Sequence, residues 1–340
     1  MQRRSILRAA AAASMAGLGA ARAATPTLRV MVHSSFSLPK PLLAQFEAQS
    51  GVKLAIVKGG DAGEMLNKLI LTRAAPVADV VYGLDNTLVA KALQAGVLEA
   101  TLPEAHGGGG ELGAALAPVD YGFVTINVDK AELARRATPL PQRLQDLTQP
   151  AYKGWLVTPN PATSSTGFAF LLATVAGLGE AAAWAWWGQM RANGLRVAKG
   201  WSEAYYTDFS RNKGACPLVV SYATSPAAEV FYAKDKPAES PTASLNLPGG
   251  VFRQVEGVGL IQGGAQRDAA LAFIDFLRAE PAQQALQTSM WMYPSRAGVA
   301  RAEVMRHAAE PTAFETLPAA TIAEHGAQWV QRWTQVVLKS

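Results

Sequence analysis

The sequence predicts an α/β protein of two lobes, each a mixed sheet flanked by helices, joined by crossover strands. Three observations carry that prediction. Strand-like and helix-like stretches alternate along the N-terminal third, the rhythm of a parallel sheet with helices on both faces. The chain that remains after an export signal, 340 minus 23 or 317 residues, exceeds the size at which one hydrophobic core stops growing. The apolar pattern then leaves the first unit, passes through a second, and returns through a long strand-like stretch at residues 251–261.

Taken in order, residues 1–23 read as a signal peptide. Arg3-Arg4 precedes Ser5-Ile6-Leu7-Arg8, the arrangement of a twin-arginine export signal, and Ala21-Arg22-Ala23 supplies a small-x-small cleavage site; an ordinary Sec signal is the alternative. The apolar stretch 9–21 contains Gly17 and Gly19 and is too short to span a bilayer. No cysteine follows the cleavage site, so the sequence predicts an exported, soluble, periplasmic protein rather than a lipoprotein.

Strands are expected at 27–32, 52–57 and 79–82, with helices at 39–50, 63–73 and 86–95 between and after them. In such sheets ligands collect beyond the carboxyl ends of strands, which singles out the loops after His33, at Gly59-Gly60-Asp61 and at Gly83-Leu84-Asp85-Asn86. A second unit begins with a strand at 120–127, and continues through a strand at 155–157, helices at 167–176 and 180–192, and a strand at 218–222. After the return strand come amphipathic helices at 268–279, 281–288 and 318–338. The domain reading is therefore 24–119 and 223–295 for the first lobe, 120–222 for the second, and 296–340 for a C-terminal helical segment packing on the lobes.

Charge and composition exclude several classes. Four of the 31 Lys and Arg residues (Arg3, Arg4, Arg8 and Arg22) fall in the signal, leaving 27 basic against 26 acidic side chains. A near-neutral total gives no support for nucleic-acid binding, which needs a basic face. One cysteine, Cys216, excludes an internal disulfide framework, and its place before Pro217-Leu218-Val219-Val220 predicts a buried small hydrophobe. Four histidines (His33, His106, His307 and His325) occur without a His-Glu-x-x-His, Gly-x-Ser-x-Gly or P-loop pattern. Gly108-Gly109-Gly110-Glu111-Leu112-Gly113 has Gly-x-Gly-x-x-Gly spacing but follows no strand, and reads as a loop with His106 solvated beside it.

The chemistry-bearing patches lie elsewhere. Lys199-Gly200-Trp201-Ser202-Glu203-Ala204-Tyr205 sets rings, a carboxylate and hydroxyls on a short glycine-bearing turn. Similar patches are Ser221-Tyr222-Ala223-Thr224-Ser225-Pro226 and Trp291-Met292-Tyr293-Pro294, so one pocket assembled from distant loops is expected. Asn160-Pro161-Ala162-Thr163-Ser164-Ser165-Thr166-Gly167 leads into an apolar helix and fits either an anion cradle or a plain N-cap. Asp61 and Asp85 each fit either a ligand contact or a helix cap. Tyr222 fits a ligand or a hinge contact, and Trp291 and Tyr293 fit a ligand or a clamp between lobes. Trp184, Trp186, Trp187, Trp329 and Trp333 lie on helices and read as packing.

These patches, together with Ala78-Asp79-Val80-Val81, Gly83-Leu84-Asp85-Asn86 and Asp120-Tyr121-Gly122, occur in the order in which they occur in the periplasmic thiamine-binding proteins of ABC importers. The chain resembles that family over nearly the whole mature length. The resemblance implies a two-lobed periplasmic binding protein fold (type II), no catalysis, and no cofactor, with thiamine or a thiamine phosphate as cargo. It also implies an ABC permease as partner and a monomer that closes its lobes on the ligand. Ligand contacts are expected from His33, Asp61, Asp85, Ser164, Trp201, Tyr205, Tyr222, Ser225, Trp291 and Tyr293. Trp201, Tyr222 and Trp291 would stack on the rings, with cation–π contacts worth about 0.5–2 kcal/mol each. Asp61 would hold the aminopyrimidine edge, and Ser164 the hydroxyl or phosphate end.

His33 and Ala228 depart from the family pattern, which carries stacking tyrosines there. An ordinary imidazole at His33, with a pKa of about 6.5, would repel a thiazolium once protonated, so affinity is expected to fall below about pH 6. The alternatives are a thiamine precursor such as hydroxymethylpyrimidine, a ferric ion held by Tyr205, Tyr206 and His33, and, from another class, an exported enzyme acting on thiamine or a phosphate ester.

Overall fold

The computed structural model describes residues 25–339, so the predicted signal at 1–23 lies outside the described residues. β1 (Thr27–Val32) pairs in parallel with both β2 (Lys53–Lys58) and β3 (Val80–Asp85). Three helices follow these strands in turn: α1 (Lys40–Ser50), α2 (Ala62–Leu71) and α3 (Val89–Gln94). α1 starts directly after Pro39 and stops at Gly51, whose φ of 68° is the left-handed conformation that ends helices. α2 is opened by Asp61, which accepts from the Ala62 N–H and forms a reciprocal capping box with Glu64.

The 13-residue strand β4 (Ala117–Asp129) is the spine of the molecule. It leads to α4 (Lys130–Arg136), β5 (Leu156–Pro159), α5 (Ser165–Leu178), α6 (Glu180–Ala192) and β6 (Arg196–Ala198). The short helix α7 (Trp201–Glu203), β7 (Leu218–Tyr222), α8 (Ser225–Tyr232), β8 (Thr242–Leu245) and β9 (Phe252–Leu260) follow. One mixed sheet runs in the order β2-β1-β3-β9-β4-β7-β5-β6. The first half of β4 pairs with β9, and the second half with β7 and β8. Because β9 also pairs with β3, β4 and β9 are the strands that carry the sheet from one lobe to the other. β8 joins the far half of β4, so residues 242–245 share a sheet region with the second unit, although the sequence reading placed them in the first lobe.

α9 (Arg267–Arg278), α10 (Glu280–Ser289), the two-residue β10 (Tyr293–Pro294) and α11 (Ala319–Trp333) complete the chain. α11 packs against α3 and, through Gly326, against the Phe168 ring of α5. Trp333 meets Trp187 edge to face at 5.6 Å. The helical tryptophans pack as expected, with the Trp186 and Trp187 indoles donating to the Leu144 carbonyl and the Thr174 hydroxyl. Cys216 is buried, and burial raises its thiol pKa to about 11. The glycine stretch read as a loop at 108–113 is irregular only at 108–109; from Gly110 it forms a 3-10 helix, Gly110–Ala115, kinked at Gly113, and His106 is not merely solvated, its Nδ1 lying 2.8 Å from Asp275.

Candidate ligand-binding cleft

The strand rhythm brings the loops after β1, β2 and β3 to one edge, where they face the ends of β6 and β7. A cavity of about 300 Å³ lies between them, within the range of small-molecule sites. His33, Asp61, Trp201, Tyr205, Tyr222, Ser225 and Trp291 line it, seven of the ten residues expected from sequence.

The segment read as a turn at 199–205 is helical. α7 runs directly into a π-helical turn, Ala204–Asp208, which stacks Trp201 on Tyr205 at 5.3 Å with 23° between the rings. The Trp201 indole donates to the Ser221 hydroxyl at 2.8 Å, and Ser221 is itself 2.9 Å from Ser225, so the indole plane is fixed by β7 and the head of α8. The Tyr222 hydroxyl donates to Gln254 at 2.7 Å and lies 3.0 Å from the Thr166 hydroxyl. Across the mouth, Trp291 meets Phe231 and Tyr232 edge to face. Its φ of 60° is uncommon for a residue with a side chain.

Three of the expected residues, Asp85, Ser164 and Tyr293, do not line the cavity. Asp85 does not line the cavity; it is buried beneath it, accepting from the Thr87 and Leu88 N–H groups and from the Gln254 amide. Ser164 is 1% exposed and caps α5 by accepting from the Gly167 N–H. Tyr293 is 1% exposed, and its hydroxyl donates to the Ala308 carbonyl, so it packs behind the mouth. The neighbouring hydroxyls are also committed: Thr163 donates to the Lys199 carbonyl at 2.5 Å, and Ser165 accepts from Gln254 at 3.0 Å. The turn at 160–167 therefore acts as a helix cap and a docking surface, while its Ser165 and Thr166 also line the cavity.

Asp61 combines both of its expected roles. One carboxylate oxygen caps α2, and the other accepts from the Trp201 N–H at 2.9 Å. Burial pushes its carboxyl above the usual range, against the opposing pull of the Trp201 N–H, the Ser164 hydroxyl, the Ala62 N–H and the His33 charge. Around it, Glu64 accepts from Lys199 at 2.8 Å, and the Glu64 N–H donates to the Thr163 carbonyl at 3.1 Å. The head of α2 is thus seated on the far end of the sheet.

His33 lies over Gly83, where a β-bulge in β3 and a φ of 95° leave room for its ring; a Cβ there would come within 2.3 Å of it. Burial pulls the imidazole pKa down, but the Glu256 carboxylate 3.6 Å away outweighs that and holds it above the ordinary value. This corrects the expectation of an ordinary histidine. Sequence reasoning missed Glu256, Glu229, Tyr232 and Met290, all of which line the cavity, as does Tyr206, named from sequence only for the ferric alternative. The signal for Glu256 was present: a carboxylate inside the apolar return strand, in Val255-Glu256-Gly257-Val258.

The fold and the cleft between its lobes are those of a two-lobed solute-binding protein. The chain belongs to the bacterial extracellular solute-binding protein family, which matches residues 75–325. It is 32% identical over 325 residues to the thiamine-binding periplasmic protein of Salmonella typhimurium, covering 92% of this chain and 94% of that protein. It is 30% identical over 321 residues to the protein of the same name from Escherichia coli, with the same coverage. A solved periplasmic thiamin binding protein superposes with a TM-score of 0.82 at 29% identity, over 93% of this chain and 97% of that one. The expected two-lobed periplasmic binding protein fold is the fold found.

Proposed function

We propose that the protein is exported to the periplasm, captures thiamine or a thiamine phosphate in this cleft by hinge closure, and delivers it as a monomer to an ABC permease. Thiamine is then cargo, and neither a cofactor nor a covalent step is needed. The observation that carries the reading is the cavity itself: ring faces from Trp201, Tyr222 and Trp291 surround a space that also holds the Asp61 and Glu256 carboxylates. A flat aminopyrimidine joined to a cationic thiazolium asks for that combination of π faces and negative charge. The similarity to thiamine-binding relatives over most of the chain supports the same ligand. Among the contacts proposed from sequence, Asp61, Trp201, Tyr205, Tyr222, Ser225, Trp291 and His33 reach the cavity directly, while Asp85, Ser164 and Tyr293 act from behind its wall.

A ferric site is disfavoured because the Tyr205 hydroxyl donates to Glu229 at 2.8 Å and its ring is stacked on Trp201. Calorimetry of the mature protein with thiamine, its phosphates and hydroxymethylpyrimidine tests the proposal. Saturable binding of thiamine or its phosphates is expected. Absence of heat with all of them, or a visible charge-transfer band on adding Fe³⁺, would overturn it.

A further inference from the structure

The floor of the cleft buries more negative charge than the surrounding side chains neutralise. Three carboxylates line the cavity: Asp61, Glu229 and Glu256. Asp61 accepts from two backbone N–H groups, and Glu229 is held by the Tyr205 hydroxyl and by Arg211 at 2.9 Å. Glu256 differs. It is 5% exposed, and its Oε2 has no hydrogen-bond partner, nor does the His33 Nε2 that faces it at 3.6 Å. Asp120 lies buried behind it with Oδ1 also unpartnered, while Tyr82 donates to the other oxygen.

A buried carboxylate without a partner is costly, and such an oxygen directed at a cavity marks the place where a cation compensates it. Among the described residues lining the cavity, His33 is the one basic side chain. The 3.6 Å separation is an ion pair longer than a hydrogen bond.

We propose that Glu256 is the counter-charge for a cationic ring of the ligand, and that protonated His33 is its resting partner, which gives up its proton when the ligand cation arrives. This deepens the thiamine reading and rests on it. The site would then select the positively charged thiazolium over neutral rings of the same shape, a full counter-charge adding to the weaker cation–π preference of Trp201 and Tyr222.

The groups that bear on this exchange come from every element around the pair. Asp61 at the head of α2 favours the charged imidazole, and Lys58 at the end of β2 opposes it, with its ammonium turned to the Ser34 carbonyl at 2.9 Å. Tyr82 on β3 packs 5.8 Å from the His33 ring. Burial, then the charge of Glu256, raises Asp120 well above the carboxylate range, and Asp85 feels the same charge. Burial and the same charge also keep Tyr222 a neutral phenol.

The test is calorimetry near neutral pH, in two buffers of different ionisation enthalpy, with thiamine and with an analogue whose thiazolium is replaced by a neutral thiophene. The wild type is expected to prefer thiamine by about tenfold or more and to release protons on binding it. Glu256→Gln is expected to lose that preference by weakening thiamine alone, and His33→Gln to lose the proton release while keeping the preference. If the wild type binds neither compound, the thiamine reading itself fails. If it binds both equally, or if Glu256→Gln keeps the preference, Glu256 is not the counter-charge although the thiamine reading stands. Should Glu256→Gln fail to fold, the wild-type comparison and the His33→Gln proton count decide.

Discussion

At the scale of single residues, burial shifts the carboxyls in and beneath the cleft toward their protonated forms. Asp85 is the clearest. Burial raises its carboxyl to about 6 despite hydrogen bonds from Thr87 and Gln254, and the Glu256 charge adds to the rise. A carboxyl with a raised folded pKa gives stability that is present below its ordinary value and lost as pH rises through the folded value. The melting temperature of the ligand-free protein is therefore expected to fall as pH rises from the ordinary carboxylate range through about 6. Asp85→Asn retains an acceptor for the Thr87 and Leu88 N–H groups and should flatten that fall; an unchanged profile would remove Asp85 from the account. Trp201 carries the second prediction. Its indole is fixed by Ser221 and stacked on Tyr205, so Trp201→Ala is expected to weaken thiamine binding by about 1 kcal/mol or more. Calorimetry reads the change, and an unaltered affinity would take the ring out of the site.

Among the elements, the head of α2 decides whether the two ends of the sheet can meet. Gly63 lies so close to the 160–164 turn that a Cβ would come within 2.7 Å of the Thr163 carbonyl carbon and oxygen. Those are backbone atoms and cannot swing aside. Gly63→Ala is therefore expected to leave the helix intact, since alanine is the better helix former, while lowering thiamine affinity by about tenfold through impaired closure; equal affinity in a titration would show that the contact is not needed. The elements that were legible in sequence are those with strong periodicity. β1, β7 and α6 have the predicted bounds, because their apolar pattern and flanking breakers agree. α8 is not among the expected helices, although Pro226 suits the first turn of one. β8 is hidden between Pro241 and Pro248, where composition speaks for a loop. The site was legible as a set of motifs rather than as a set of side-chain directions. Tyr293 follows Trp291 by two residues in a motif that reaches the cavity, but Tyr293 points to the Ala308 carbonyl behind it. Glu256 was hidden for the opposite reason, as a charge on a strand read only for its apolar partners.

For the molecule as a whole, the proposed hinge closure and the proposed charge neutralisation at Glu256 predict a single coupled event. β4 and β9 are the continuous connections across the sheet, and the head of α2 meets the turn at 160–164 and the start of α7 across the cleft. Asp61, through its bond to the Trp201 N–H, belongs to both the closing contact and the cavity wall. On the proposal above, a cation placed beside Glu256 offsets the cost of burying that carboxylate; if burial is completed on closing, the ligand's differential affinity favours closure. Two measurements should move together. Thiamine at about 100 times its dissociation constant is expected to stabilise the protein by about 2.7 kcal/mol, seen as a rise in melting temperature, and small-angle scattering should record a smaller radius of gyration. Gly63→Ala should blunt the contraction more than it lowers the melting temperature of the ligand-free protein, because it acts on the meeting of the lobes and not on either core. If thiamine raised the melting temperature without any contraction, binding would be to a preformed cleft, and hinge closure would be the wrong account of how β4 and β9 serve the site.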